Sequence, residues 1–258
     1  ADMTKEEFIK EVTDGLAPPP AYFPLNVAMN KEGYVSIDKV LDKGNNPLTP
    51  DEFEAAANET EALIIDVRNQ SDFINGFVPR SIFIGLNGSF APWVGAMIKD
   101  VNQPLLLVID EDKIDEAITR LSRVGFDNTL GYLKGGIEAW KSAGKEIDTL
   151  ESVPADKFAA DVQSNGRPVF DVRKDGEYKS EHIEGATHTS LEFINDHLAE
   201  FPKEDPFYVH CAGGYRSVIA ASILKARGFH NVIDVAGGFK AIQETDIKRT
   251  DYVCPTTL

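Results

Sequence analysis

Short runs of aliphatic and β-branched residues alternate along this chain with longer segments whose apolar positions recur every three or four residues. LIIDV (63–67), SIFIGL (81–86), LLLVI (105–109), PVFDV (168–172), ATHTSL (186–191) and FYVH (207–210) read as buried strands, whereas IDEAITRLSRVG (114–125) and SVIAASILKARG (217–228) carry helical spacing. LTPDEFEAA (48–56) offers Thr49 as a helix N-cap with Pro50 at the first helical position, and SVPADKFAA (152–160) repeats the device with Ser152 or Val153 ahead of Pro154. Strands alternating with helices predict an α/β fold, a mostly parallel sheet covered by helices on both faces.

The pattern occurs twice. ALIIDVR (62–68) aligns with RPVFDVR (167–173) and continues without a gap to Leu86 and Leu191; LLLVID (105–110) then matches FYVHC (207–211), and YLKGGIEAW (132–140) matches DVAGGFKAI (234–242). The offset is 105 residues at the start (66 to 171) and 102 near the end (135 to 237), a normal small-domain length. The expected organisation is an arm over 1–45, a first domain over 46–148 and a second over 149–258, joined by the short polar stretch KEIDTLES (145–152). In the arm, TKEEFIKEVTDGL looks helical, with Phe8, Ile9, Val12 and Leu16 on one stripe, and APPPAYFPLN is expected to be extended because proline removes amide donors. The expected role is a linker packed on the first domain.

Composition narrows the function classes. With 26 basic and 42 acidic residues the formal charge is −16, a field that repels phosphate backbones and anionic membranes, so no nucleic-acid or membrane partner is expected. No apolar run approaches the ~20 residues that span a bilayer, and the charged ADMTKEEFIKEV does not read as a signal peptide. Cys211 and Cys254 are too few for a disulfide framework, and the five histidines form no metal-ligand spacing, so no cofactor is expected in this chain and a cytoplasmic setting is.

One of the two cysteines stands where a sulfur can react. In FYVHCAGGYRS (207–217), Cys211 follows a strand and precedes a helix expected to begin near Ser217, placing it at the carboxyl rim of the sheet, open to solvent, where ligands of α/β folds bind. Ala212, Gly213, Gly214 and Tyr215 form the connecting loop; its glycines let backbone N–H groups turn inward as an anion nest, the helix terminus adds its positive end, and Arg216 adds a full charge. All three favour an ionised, nucleophilic sulfur. Ser217 is expected to cap the helix. Cys254, in the polar tail, has none of these features. Cysteine phosphatases also place a cysteine ahead of a nest and an arginine, with five intervening residues; the four here make a tighter cradle, suited to one sulfur carried on the cysteine.

These residues resemble the rhodanese family of sulfurtransferases. DVR at each first strand, HIEGATH (182–188), CAGGYRS at the loop and AGGFKAI near the end of the second copy occur in the family's order. The resemblance implies that Cys211 attacks the outer sulfur of thiosulfate or a low-molecular-weight persulfide, carries it as a persulfide held by the amides of residues 212–217, and yields it to cyanide or a thiol. Arg216 would orient the donor anion. Asp171 and Arg173 recur as Asp66 and Arg68 in the first copy, so strand-end ion pairing or loop support is their expected job, with Arg173 also at the entrance; His182 and His210 are expected to pack or hydrogen-bond. Asp110 aligns with Cys211, and EDKID after it lacks both glycines and the arginine, so the first copy is expected to be inactive and to scaffold the second. LNGSFAPWVGAMI (86–98), with Phe90, Trp93 and Met97, reads as a partner surface or as core. A phosphatase or arsenate reductase on the same fold, and a non-catalytic sensing module, are the competing readings. The arm resembles the segment linking metallo-β-lactamase-fold persulfide dioxygenases to fused rhodanese domains, which would make this chain part of a larger protein with an upstream metal-dependent domain.

Overall fold

The computed structural model describes residues 3–14 and 23–254. Strands β1 (Pro47–Leu48), β2 (Leu63–Asp66), β3 (Ile82–Phe83), β4 (Leu105–Val108) and β5 (Thr129–Leu133) form one sheet in the order β1-β5-β4-β2-β3. Strands β6 (Glu151–Val153), β7 (Val169–Asp171), β8 (Thr187–His188), β9 (Phe207–His210) and β10 (Val232–Val235) form a second in the same order, β6-β10-β9-β7-β8. Every neighbouring pair is parallel. The central strands β4 and β9 are buried at all four positions, which is why they read as unbroken apolar runs rather than as alternation.

Thr49 caps the helix Pro50–Thr60 as expected, in a capping box with Glu52. The second copy departs from it. Pro154 itself is the N-cap of Ala155–Asn165, with no side-chain cap, because Ser152 lies in β6 and its hydroxyl donates to Asp234 instead.

The helix Tyr215–Ala226 differs from an ordinary surface helix: Ser217 through Leu224 are all buried. It packs on β9 and β10 of its own sheet and on β3 of the first sheet, so no face is left for solvent. Its Ser222 Oγ accepts the Phe83 amide at 3.0 Å, occupying a donor that an edge strand would otherwise leave open. One apolar cluster consequently runs through both repeats, from Phe83 and Phe90 to Val209 and Ala220. Phe90 and Met97 are buried in it with Trp93 packed alongside, so the 86–98 segment is core rather than a partner surface.

The arm behaves differently from its expectation. Lys5–Thr13 is helical, capped by Thr4, but Phe8, Ile9 and Val12 are all about half exposed and the helix buries nothing on the first domain. Leu16 and the APPPAY part of the proline-rich segment (17–22) lie outside the described residues. Phe23–Glu32 is a helix, not extended, because Pro24 falls in its first turn, where the missing amide costs nothing. A further helix, Ile37–Gly44, packs on the helix Ile114–Ser122 and on β5, burying Val40 and Gly44.

Arg80 occupies a left-handed backbone position, φ +67°, where the second copy has Gly185 at φ +83°. That conformation costs a side-chain-bearing residue roughly 1–2 kcal/mol, of which glycine's looser unfolded chain returns up to about 1. Arg80→Gly is expected to stabilise the protein by about 0.5–1 kcal/mol, read as a higher denaturation midpoint.

Candidate active site

The second copy builds its site on the carboxyl ends of β7 and β9. The ladder pairs Asp171 with His210, so Cys211 is the first residue past β9. The helix starts at Tyr215, not near Ser217; Gly214 is its cap, at φ +102°. The left-handed backbone requires a glycine there, and a Cβ would also stand 2.9 Å from Gln70 Nε2, the mobile end of a side chain that would have to swing aside. Gly214 N–H donates to Cys211 Sγ at 3.1 Å, so an amide of the expected nest faces the sulfur.

Two neighbouring amides hold the loop from behind. Phe239 N–H donates to the Cys211 carbonyl at 2.6 Å and Lys240 N–H to that of Ala212 at 3.0 Å, both from the first turn of Gly238–Ile242. The AGGFKAI sequence is therefore a support for the loop: Gly237 and Gly238, at φ +76° and +58°, turn the chain so that this helix end presses against it.

Ser217 is not a cap. It is buried in the first helical turn, its hydroxyl 2.9 Å from the Gly214 carbonyl and 2.6 Å from Asp234 Oδ1, while Ser152 Oγ donates to Asp234 Oδ2 at 2.7 Å. Burial pushes the Asp234 carboxyl up to about 6.

Arg216 does not stand free to meet an anion. Its guanidinium makes a two-bond pair with Glu177, at 2.6 and 2.8 Å, and both groups are partly buried. Burial opposes the charge on Glu177, but the hydrogen bonds and charge of Arg216, with the Lys174 amide and the Arg173 charge, together outweigh it and hold the carboxyl below its ordinary range. Sequence reasoning missed Glu177. It sits 39 residues from Arg216 with no local pattern to join them, although an acid recurs at the same place in the first copy as Asp72.

Asp171 and Arg173 form a buried pair at 2.6 Å, and Arg173 also donates to the Glu181 carbonyl at 2.7 Å. Asp66 and Arg68 repeat this with the Gly76 carbonyl, which makes it a fold-level brace for the helix after β2 or β7. Arg173 is 4% exposed and stacks 3.8 Å from the Phe239 ring, so it does not edge an entrance. His210 is fully buried, and burial lowers its affinity for a proton; its Nε2 makes no hydrogen bond. His182 Nδ1 lies 2.8 Å from the Tyr178 carbonyl and its ring stacks on Tyr178, a packing role.

The structure corrects two further expectations. Cys211 is 1% exposed, so its sulfur rests beneath the loop instead of standing open at the rim. The partner of Asp66 across the ladder is Val108, as that of Asp171 is His210, which makes Ile109 and not Asp110 the counterpart of Cys211. Ile109 is buried and carries no nucleophilic atom, and Glu111 Oε1 accepts the Gly135 amide at 3.0 Å, so an apolar side chain and not an acidic carboxylate stands in place of the cysteine.

Known proteins are similar to parts of this chain. The rhodanese-like domain model matches residues 49–143 and 154–245. A putative sulfur carrier protein, YrkF of Bacillus subtilis, is 31% identical over 108 residues, 42% of this chain and 56% of its own length, so the match spans little more than half of that relative. The thiosulfate sulfurtransferase GlpE of Pseudomonas entomophila is 33% identical over 84 residues, 33% of this chain and 77% of that protein. A rhodanese-like domain protein from Staphylococcus aureus of known structure is 29% identical, with a TM-score of 0.36, covering 38% of this chain and 97% of its own. With both sheets matched and the loop of the second copy intact, the chain belongs to the rhodanese family, as a tandem of two rhodanese-like domains.

Proposed function

We propose that this protein is a sulfurtransferase whose second domain carries sulfane sulfur on Cys211. The observation that carries the reading is the Gly214 amide aimed at Sγ from a loop pinned by Phe239 and Lys240. In the first step the Cys211 sulfur attacks the outer sulfur of thiosulfate or of a small persulfide; the donor's S–S bond breaks and sulfite or a thiolate leaves with the electron pair. In the second, cyanide or an acceptor thiolate takes the outer sulfur, forming thiocyanate or a new persulfide and restoring the cysteine. No net oxidation occurs. Ala212, Gly213, Gly214, Tyr215, Arg216 and Ser217 hold the loop, and Asp171 and Arg173 support it from below.

Burial of Cys211 restricts this chemistry to a donor sulfur on a slender stem, or to moments when the Arg216–Glu177 pair parts and the loop lifts. The four-residue spacing favours sulfur transfer over phosphate chemistry. The exposed stripe Phe8, Ile9 and Val12 fits a neighbouring domain, which we assign to the upstream metal-dependent domain that the arm's resemblance implies, in a cytoplasmic setting; among the described residues no helix is long and apolar enough to cross a membrane. The deciding experiment is mass spectrometry after exposure to thiosulfate or glutathione persulfide. One sulfur atom is expected on Cys211 and none on it in Cys211→Ser; an unmodified Cys211 in the wild-type protein would overturn the reading.

A further inference from the structure

Tyr215 stands inside the reactive loop, yet its side chain belongs to the other domain. Its hydroxyl donates to the Gly85 carbonyl at 2.7 Å and its ring meets Phe83 edge-on, with centroids 5.6 Å apart. Burial raises the phenol well above its ordinary range, so it remains a donor at all ordinary pH. The receiving segment, 85–88, is itself fixed. Arg120 donates to the Leu86 carbonyl at 2.8 Å and to that of Gly88 at 3.3 Å, and Asn87 Nδ2 donates to Asn69 Oδ1 at 2.6 Å.

Gly88 is the residue that admits the ring. A Cβ there would fall on Cζ of Tyr215, and within 2.6 and 2.7 Å of its Cε2 and hydroxyl oxygen, distances real atoms do not share. The ring cannot yield by bending, and its backbone is one residue from Gly214, whose amide holds Sγ. Gln70, also from the first domain, approaches Gly214, its Nε2 2.9 Å from where a Cβ would be. Displacing the ring therefore moves the amide that would hold the transferred sulfur.

We infer that the first domain positions the reactive loop through Tyr215, with Gly88 as the socket, so that the copy without a nucleophile sets the reactivity of the copy that has one. Tyr215 is a positioning residue, not a catalytic one. The inference rests on the sulfurtransferase reading for its kinetic consequence, but the mechanical link stands on the contacts above.

The test uses the full chain and two readouts. In single-turnover sulfur transfer from thiosulfate, Tyr215→Phe, which removes one buried hydrogen bond, is expected to lower the maximal rate about tenfold with the half-saturating thiosulfate concentration unchanged. Gly88→Ala is expected to lower it further. Added to Tyr215→Ala, Gly88→Ala is expected to change nothing, since the Cβ then has no ring to strike. Alkylation of Cys211 by iodoacetamide, resolved from Cys254 by peptide mass, reads the loop without sulfur chemistry. Gly88→Ala is expected to speed it about tenfold, again only when Tyr215 is present. If the wild-type protein takes up no sulfur while the alkylation rates show this pattern, the sulfurtransferase reading fails and the positioning link survives. Wild-type alkylation rates in Gly88→Ala, or equal effects of that change with and without the tyrosine ring, would overturn the link.

Discussion

Gly238→Ala is expected to lower the rate of persulfide formation on Cys211 at least about 100-fold and to cost about 3–4 kcal/mol of stability. The reason is local crowding by backbone, which has nowhere to go. A Cβ at Gly238 would collide with the Cys211 carbonyl oxygen and lie 2.9 Å from both the Ala212 carbonyl carbon and the Gly213 nitrogen. Relief requires the loop to move outward, which breaks the 2.6 Å bond from Phe239 N–H and withdraws the Gly214 amide from the sulfur. A shift of this kind at a reacting centre, on the order of 1 Å, costs about two powers of ten in rate. The molecule contains its own control. Gly136 is the counterpart in the first copy, with the same φ of +58°, but no atom lies within 4 Å of its Cβ position. Gly136→Ala therefore meets only the strain of the left-handed backbone, about 1 kcal/mol after the gain from a stiffer unfolded chain. Denaturation midpoints of the two variants, with persulfide formation measured beside them, separate the contributions. If Gly238→Ala costs no more than Gly136→Ala, the support assigned to the AGGFKAI turn is wrong.

The contrast between those glycines shows what a linear reading captures. The motif GG recurs at 135–136 and 237–238, and the sequence marks it correctly as shared architecture. Whether a loop presses on it depends on the path of the chain beyond β4 and β9, which is a matter of three-dimensional approach. The strands were legible because a doubly covered parallel sheet demands unbroken apolar runs, and β2, β4, β7 and β9 fall within four of the runs the pattern picks out. The candidate nucleophile was legible because strand, nest and helix are consecutive. The alignment of the first copy slipped by one residue, from Ile109 to Asp110, since matching LLLVID to FYVHC by composition leaves the register open; only the pairing of Asp66 with Val108 decides it, and a one-residue slip in a strand reverses the face of every side chain. Glu177 and the socket for Tyr215 were illegible for a simpler reason: both are contacts between segments far apart in the chain. The helix Tyr215–Ala226 did carry a signal of its second neighbour. VIAASIL lacks a polar face, and a helix apolar all round is covered on both sides.

Replacing Asp234 should remove a pH dependence that the buried polar cluster under the loop imposes on the whole fold. The carboxyl is pushed up to about 6 from 3.8 by burial, so the folded chain binds this proton more tightly than the unfolded one. The stabilisation is thus fully present below about 3.8, falls as pH rises, and is gone above about 6, a span worth about 3 kcal/mol at about 1.4 kcal/mol per pH unit. The hydrogen-bond pattern gives the same direction. Ser217 has one hydroxyl proton and two acceptors in reach, the Gly214 carbonyl at 2.9 Å and Asp234 Oδ1 at 2.6 Å. With Asp234 ionised, Ser217 can give its proton to only one of them, and the Gly214 carbonyl keeps the Val218 N–H at 3.2 Å; with Asp234 protonated, it donates to Ser217 and Ser217 donates to Gly214. Asn in place of Asp keeps an acceptor for Ser217 and offers a donor to Ser152, without the buried charge. Asp234→Asn is accordingly expected to be more stable than the wild-type protein by up to about 3 kcal/mol at pH 7 and to lose that advantage as pH falls through 6 toward 4. Carboxylates held low elsewhere, such as Glu177 and Asp161, contribute stability that is lost as pH falls below their ordinary range, so the quantity to track is the difference between the two proteins in urea denaturation, where those groups cancel. A difference that stays constant from pH 4 to 7 would mean that Asp234 does not hold the extra proton. A difference that grows as pH rises through 6 would tie the ionisation to the carbonyl of the residue whose amide faces the Cys211 sulfur.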